Sequence, residues 1–210
     1  MATNETGQLF IISGPSGSGK DTIIEQYRAC HPDMQFSISH ITRPIRGNEI
    51  PGQKYHFTDR ESFLRMVEQD EMLEYAEYCG NFYGTPRAPI EKWLADGFHT
   101  IVEVDVQGAM KIKSKMPDAV MVFIMPPSMQ VLEKRLLGRN TESEEAARKR
   151  LHSAVKEIAC AREYDYIIVN DDLQDAVKVF ESIVTAQDAK TERMQKLINE
   201  VLKNAESLHW

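Results

Sequence analysis

Leu9-Phe10-Ile11-Ile12-Ser13-Gly14-Pro15-Ser16-Gly17-Ser18-Gly19-Lys20-Asp21-Thr22-Ile23-Ile24 decides the fold. The first four residues are apolar strand formers. The glycines that follow let the backbone take dihedrals closed to other residues, so successive N–H groups can turn inward and cradle phosphate oxygens, with Lys20 adding a positive charge. Beyond Lys20, the residues Ile23, Ile24 and Tyr27 have helical spacing, so the loop opens a helix whose N-terminal dipole also favours phosphate. Strand, glycine loop and helix in that order read as a P-loop rather than as a surface turn that happens to precede a lysine. Gly14, Pro15, Ser16, Gly17, Ser18, Gly19, Lys20, Asp21 and Thr22 are therefore expected around the phosphates of a nucleoside triphosphate. The motif conventionally continues with a hydroxyl that ligates Mg²⁺, and here that position holds Asp21.

Composition bounds the rest. A chain of 210 residues can enclose one core carrying small substrate-covering insertions. A net charge of −7 and a pI near 5.4 argue against a general nucleic-acid or acidic-membrane binder, while a small anionic ligand held by local arginines stays compatible. No run of about eighteen apolar residues exists, and Met1 to Thr6 lack a basic, apolar signal pattern, so neither nucleic acid nor membrane is an expected partner and a cytoplasmic location is expected. Cys30, Cys79 and Cys160 are odd in number and scattered, and read as free thiols.

Apolar runs at 8–13, 100–105, 119–125 and 165–169 read as strands, and helical patterns around 21–30, 87–96, 107–115 and 128–137 separate them. That alternation predicts an α/β protein with a parallel sheet wrapped by helices. Residues 36–84 look different and predict a small mixed-strand insertion around a helix at 59–70. The highly charged stretch 138–158 predicts a helical flap. The tail from 173 to 205 is mostly helical in pattern. Its stripe of Met194, Leu197, Ile198, Val201 and Leu202 is expected to dock on the core rather than to recruit a partner.

The insertion carries a second phosphate signal. Between Ser39 and Phe57, Arg43 and Arg46 stand three apart, with Tyr55 nine residues further on. Guanidinium forks match phosphate geometry and a phenol adds a donor. The segment resembles the GMP-binding insertion of guanylate kinases, whose pattern Ser-x-x-Thr-Arg-x-x-Arg-x-x-Glu-x-x-Gly-x-x-Tyr-x-Phe is met at every fixed position. Glu74 in Met72-Leu73-Glu74-Tyr75-Ala76, the run from Gly80 to Thr85, Glu103-Val104-Asp105-Val106-Gln107-Gly108, Pro126-Pro127-Ser128, Arg135 to Arg139 with Arg150, and Ile168 to Asp172 are also similar to that family. The likeness runs in order from about residue 8 to residue 187.

The resemblance implies a P-loop parallel-sheet core, a small mixed GMP-binding insertion and a helical lid, in a single domain over 1–210. The core would take about 8–35, 97–137 and 159–210, the insertion about 36–86 and the lid about 138–158. The implied reaction is Mg²⁺-dependent transfer of the γ-phosphoryl group of ATP, the co-substrate, to GMP. Arg43, Arg46, Tyr55 and Tyr83, with Glu49 in the same motif, would hold the GMP phosphate; Ser39, Glu74, Thr85 and Asp105 would read guanine. Glu74 suits that task, because a carboxylate accepts from guanine N1–H and N2–H, whereas adenine N1 is itself an acceptor. Without the resemblance, Glu74 reads as a surface acid. Lys20, Arg43 and the lid arginines Arg135, Arg139 and Arg150 form the implied catalytic set, placing and neutralising the transferring group. Asn170 is similar to an adenine-contacting position, with a backbone-capping role as its alternative. Glu103 or Asp105, at the end of a buried strand, would organise water around Mg²⁺.

Asp21 departs from the family pattern, which usually has Ser there. It ligates Mg²⁺ directly or through water, or Thr22 supplies the hydroxyl while Asp21 turns aside, or the metal site is damaged and a nucleotide-binding module remains. Ribose-bisphosphate kinases resemble the Gly-Lys-Asp loop but lack the clamp pattern from Ser39 to Phe57. Non-catalytic guanylate-kinase-like scaffolds have typically lost the P-loop lysine and lid arginines, which this chain keeps. Homo-oligomerisation stays open.

Overall fold

The apolar run ahead of the glycine loop forms the middle strand of a parallel sheet. The computed structural model describes residues 6–47, 49–78, 80–138 and 144–206. Strand β1 (Leu9–Ser13) leads through the loop into helix α1 (Lys20–Cys30) and then into the short β2 (Gln35–Phe36). With β7 (Thr100–Glu103), β8 (Val120–Met125) and β9 (Tyr166–Val169) these strands form a sheet in the order β2-β7-β1-β8-β9, every pair parallel. Strand β2 is absent from the sequence reading because two residues carry no periodicity.

All of β1 is buried, and alternation along the strand sends its side chains into two cores. Phe10 and Ile12 join Ile23, Ile24 and Tyr27 of α1 and Phe180, Ile183 and Val184 of α7 (Leu173–Asp188). Leu9 and Ile11 join Ile90 of α3 (Arg87–Ala95) and Ala109 and Ile112 of α4 (Val106–Lys115). Each of the buried leucine, isoleucine, valine and phenylalanine side chains contributes about 1.5–3 kcal/mol relative to exposure. The sheet order reverses at β1, and ligands of open α/β sheets bind at the carboxyl ends of the strands beside such a switch. The glycine loop leaves β1 at that end.

The insertion is a separate mixed sheet. Strands β3 (Ser39–Ile41), β4 (Tyr55–Phe57), β5 (Met72–Tyr78) and β6 (Asn81–Pro86) are ordered β4-β3-β6-β5, with β3 and β4 parallel and the other pairs antiparallel. Helix α2 (Arg60–Glu68), capped by the Asp59 carboxylate on the Ser62 N–H at 2.8 Å, brings Phe63 onto this sheet. The Phe63 and Phe82 rings stack at 5.3 Å and 11°, beside Met72. Gly84 opposes them as bare backbone, since a Cβ there would lie 2.8 Å from Phe63 Cζ.

Helices α5 (Met129–Leu137) and α6 (Glu144–Ala159) pack through Leu132, Leu136 and Ala154. Arg139, Glu142 and Ser143 lie outside the described residues, as does Cys79; Cys30 and Cys160 are free thiols. The final helix corrects one expectation. Helix α8 (Gln195–Glu206) leaves Ile198, Val201 and Leu202 exposed at 39, 58 and 61 %, while Met194 and Leu197 are half-buried, so the stripe is covered only in part. Amphipathic spacing specifies a face and not what covers it. Just before α8, Arg193 is tied to the Thr6 carbonyl and to Gln8.

Candidate active site

The glycine loop is held from beneath by fixed partners. Gly19 has φ +91°, in the left-handed region, and a Cβ there would sit 2.2 Å from Asn170 Nδ2. Asn170 is buried and donates that amide to the Ser18 carbonyl at 2.7 Å, while Arg135 Nη2 donates to the Asn170 carbonyl at 2.9 Å. The Asn170 side chain thus braces the loop, as in the backbone-capping alternative. Arg135 Nη1 is buried with no hydrogen-bond partner among the described residues. No side chain caps α1, so the amides of its first turn stay available to an anion. Lys20 Nζ donates to the Gly14 carbonyl at 2.8 Å, and Arg150 Nη1 on α6 donates to Ser16 Oγ at 3.3 Å.

A charged cluster surrounds Asp21, where the sequence leaves the metal ligand open. Glu103, at the end of β7, stands 3.9 Å from Lys20 Nζ and shares a hydrogen bond with Asp21. Burial, with the neighbouring Asp21 carboxylate, pushes Glu103 up to about 7 despite Lys20. Burial pushes Asp21 the other way from its neighbours, yet the Glu103 hydrogen bond, Lys54 and Lys20 prevail and hold it below the usual carboxylate range. Lys54, from the insertion, pairs directly with Asp21. Thr22 is exposed one residue on. From α6, Glu157 is raised by burial and feels Lys20 and Asp105.

The arginine clamp comes together only in part. Arg43 is buried and makes two bonds to Glu49, at 2.7 and 2.6 Å, while the Arg46 backbone N–H donates to Glu49 at 2.8 Å. Those bonds hold Glu49 down at about 2, so the carboxylate expected among the GMP contacts is occupied in aiming Arg43. The Arg43 guanidinium lies over the Tyr55 ring at 5.3 Å and bonds Tyr83. Arg46 is exposed. Register explains the neighbours: Ser39 pairs with Tyr55 across β3 and β4, and Glu74 with Thr85 across β5 and β6.

Glu74 is buried and its carboxyl is raised by that burial, although Thr85 Oγ1 donates to Oε1 at 2.9 Å. Asp105 adds to the rise, and its own carboxylate caps α4 by accepting from the Gly108 N–H at 2.7 Å. A Cβ on Gly108 would stand 3.1 Å from Glu74 Oε2, so the glycine makes room for this carboxylate. Asp105 and Glu103 lie at the end of one strand, so the insertion's buried acid and the P-loop's charged cluster meet at the same end of the parallel sheet.

Sequence reasoning missed Lys54 and Glu157. Lys54 occupies a variable position of the clamp pattern, and Glu157 lies on a helix that reads as a charged surface. A groove of about 400 Å³ between α5 and α6, lined by Met129, Arg148, His152 and neighbours, contains none of the predicted site residues.

The guanylate kinase family model matches residues 6–187. The chain is 43 % identical over 193 residues to a guanylate kinase of Clostridium perfringens, covering 92 % of this chain and 89 % of the relative. It is 46 % identical over 188 residues to one of Carboxydothermus hydrogenoformans, covering 90 and 92 %. The crystal structure of guanylate kinase from Anaplasma phagocytophilum superposes with a TM-score of 0.78 at 33 % identity, covering 99 % of each chain. With the P-loop, the insertion and the order of the strands all in place, the chain belongs to the guanylate kinase family.

Proposed function

We propose that this chain transfers the γ-phosphoryl group of ATP to GMP, giving ADP and GDP. The observation that carries the reading is Glu74, a buried carboxylate that accepts from Thr85 Oγ1 and feels Asp105 at the end of the parallel sheet. It supports an acceptor base that presents two N–H groups side by side, as guanine does. Ser39, Thr85 and Asp105 complete that edge, while Arg43, Tyr55 and Tyr83 hold the acceptor phosphate with Arg46 closing from the surface. Glu49 orients Arg43. On the donor side the loop amides and Lys20 take the ATP phosphates, braced by Asn170. Arg135 and Arg150, with Arg139 between them in sequence, supply positive charge around the transferring group. In-line placement, charge neutralisation and exclusion of water are what this chemistry asks of a protein. The core, the insertion about 36–86 and the lid about 138–158 act as parts of one domain.

The residues fit Mg²⁺. Asp21 and Glu103 offer hard carboxylate oxygens beside the loop, and no cluster of three or more ligating side chains exists among the described residues. Mg²⁺ characteristically takes one or two carboxylates and leaves the rest of its shell to water and substrate phosphates. When bound it neutralises charge on the phosphoryl oxygens. No helix among the described residues is long and apolar enough to cross a membrane, which supports a cytoplasmic place for the reaction. A coupled ADP-release assay with GMP, AMP, UMP and ribose 1,5-bisphosphate tests the proposal. Turnover with GMP alone is expected; turnover with ribose 1,5-bisphosphate, or with none of the four, overturns it.

A further inference from the structure

Lys54 stands at a variable position of the clamp pattern, yet it is where the acceptor insertion touches the donor loop. Its ammonium pairs with the Asp21 carboxylate, joining the entry of β4 to the first turn of α1. The two side chains are 51 and 45 % exposed, so the pair sits at the cleft and not in a core. Without it Asp21 would be a misfit, since a carboxylate beside Lys20 opposes the polyphosphate that the loop receives. Glu103 adds a second acid to the same spot, 3.9 Å from Lys20. Lys54 brings the cluster to two lysines against two carboxyl groups.

We propose that Lys54 is a positioning residue of the transfer reaction: as counter-cation of Asp21, it lets the P-loop carry a carboxylate and still accept a triphosphate, and it holds the Tyr55 side of the acceptor clamp against the donor loop. The inference rests on the kinase reading and deepens it. A bare carboxylate a few ångströms from phosphate repels it, whereas a contacting ion pair presents only a dipole. A metal ion arriving with the nucleotide neutralises Asp21 in the same way, so Lys54 matters most to metal-free binding.

The test is an ATP titration of the full chain, in EDTA and in Mg²⁺, for wild type, Lys54→Met, Lys54→Arg, Asp21→Ser and the double variant. In EDTA, Lys54→Met is expected to weaken ATP by about tenfold and Lys54→Arg by no more than about twofold. In the Asp21→Ser background, Lys54→Met costs no more than about threefold, and in Mg²⁺ its effect on the wild-type background shrinks to the same size. Equal losses in both backgrounds overturn the proposal, because Lys54 would then act on phosphate and not through Asp21. An unchanged metal-free affinity for Lys54→Met overturns it too. Recovery in the double variant shows that methionine is tolerated at position 54. Because no acceptor is present, the titration remains readable if the chain makes no GDP from GMP, so the two failures are distinguishable.

Discussion

The P-loop and the insertion meet at the Lys54–Asp21 pair but are built from opposite materials. The donor loop is backbone, pinned on a strand buried along its whole length, with Asn170 holding the Ser18 carbonyl and Arg135 holding the Asn170 carbonyl in turn. The acceptor side is side-chain chemistry on short strands of mixed burial, standing on a core of Phe63, Met72 and Phe82. A triphosphate tail is the same in every nucleotide, so rigid amides suffice for it. A particular base must be told from others, and that takes donors and acceptors whose ionisation and aim are set by neighbours. The difference predicts that the two halves break in different ways.

The largest effect belongs to the backbone half. Gly19→Ala forces a left-handed residue to carry a Cβ into Asn170, 2.2 Å away. A fall of about 10³-fold or more in kcat/KM is expected, with ATP affinity lost in equilibrium titration. Wild-type ATP binding in that variant would show that the loop is not pinned as described.

Next comes the support of the acceptor half. Phe63→Ala removes a fully buried ring from the small core of the insertion, at a cost of about 3–5 kcal/mol. Because that core is separate from those flanking β1, GMP affinity should fall more than tenfold while ATP affinity stays within about twofold. Parallel losses of both, read by calorimetric titration, would mean that the halves fold as one unit.

Glu74→Gln sharpens the contrast, since function and stability should move in opposite directions. Loss of one acceptor oxygen facing guanine is expected to cost about 2–4 kcal/mol in kcat/KM for GMP. The ligand-free variant should melt higher, by a few degrees at most on the scale of a chain this size, as read by thermal denaturation at neutral pH. The sign follows from the raised carboxyl: a folded value above the unfolded one favours folding at low pH, and that contribution is lost as pH rises through the folded value. A neutral amide escapes this loss. A variant that melts lower and binds GMP normally would remove Glu74 from the site.

The smallest effect is a displacement on the pH axis. On the proposed reading Glu74 accepts guanine's two N–H groups, which requires the ionised carboxylate, so kcat/KM for GMP should fall tenfold per unit below its pKa. That limb should lie above the range of about 4.3 where an unperturbed glutamate titrates, and it should vanish in Glu74→Gln. A limb at the ordinary value would place Glu74 in water.

The sequence by itself determined the glycine loop, the strand before it and the helix after it, because each is written in local residue chemistry: apolar run, glycines, helical spacing. The parallel α/β core was legible for the same reason, and so were Arg43, Glu74 and Thr85 as a constellation once the family pattern was met. Tertiary structure alone decided what each acid does. Glu49, Asp105 and Glu74 are all plain carboxylic acids in the sequence, yet one aims Arg43, one caps α4 and one stays buried with a raised carboxyl, because the fold gives each different surroundings. The same holds for Lys54, which lies 33 residues from its partner Asp21, and for the stripe of α8, whose pattern promised a docked face. Periodicity and motif are properties of neighbours along the chain. Electrostatic role and burial are set by neighbours in space, which only the packed fold supplies.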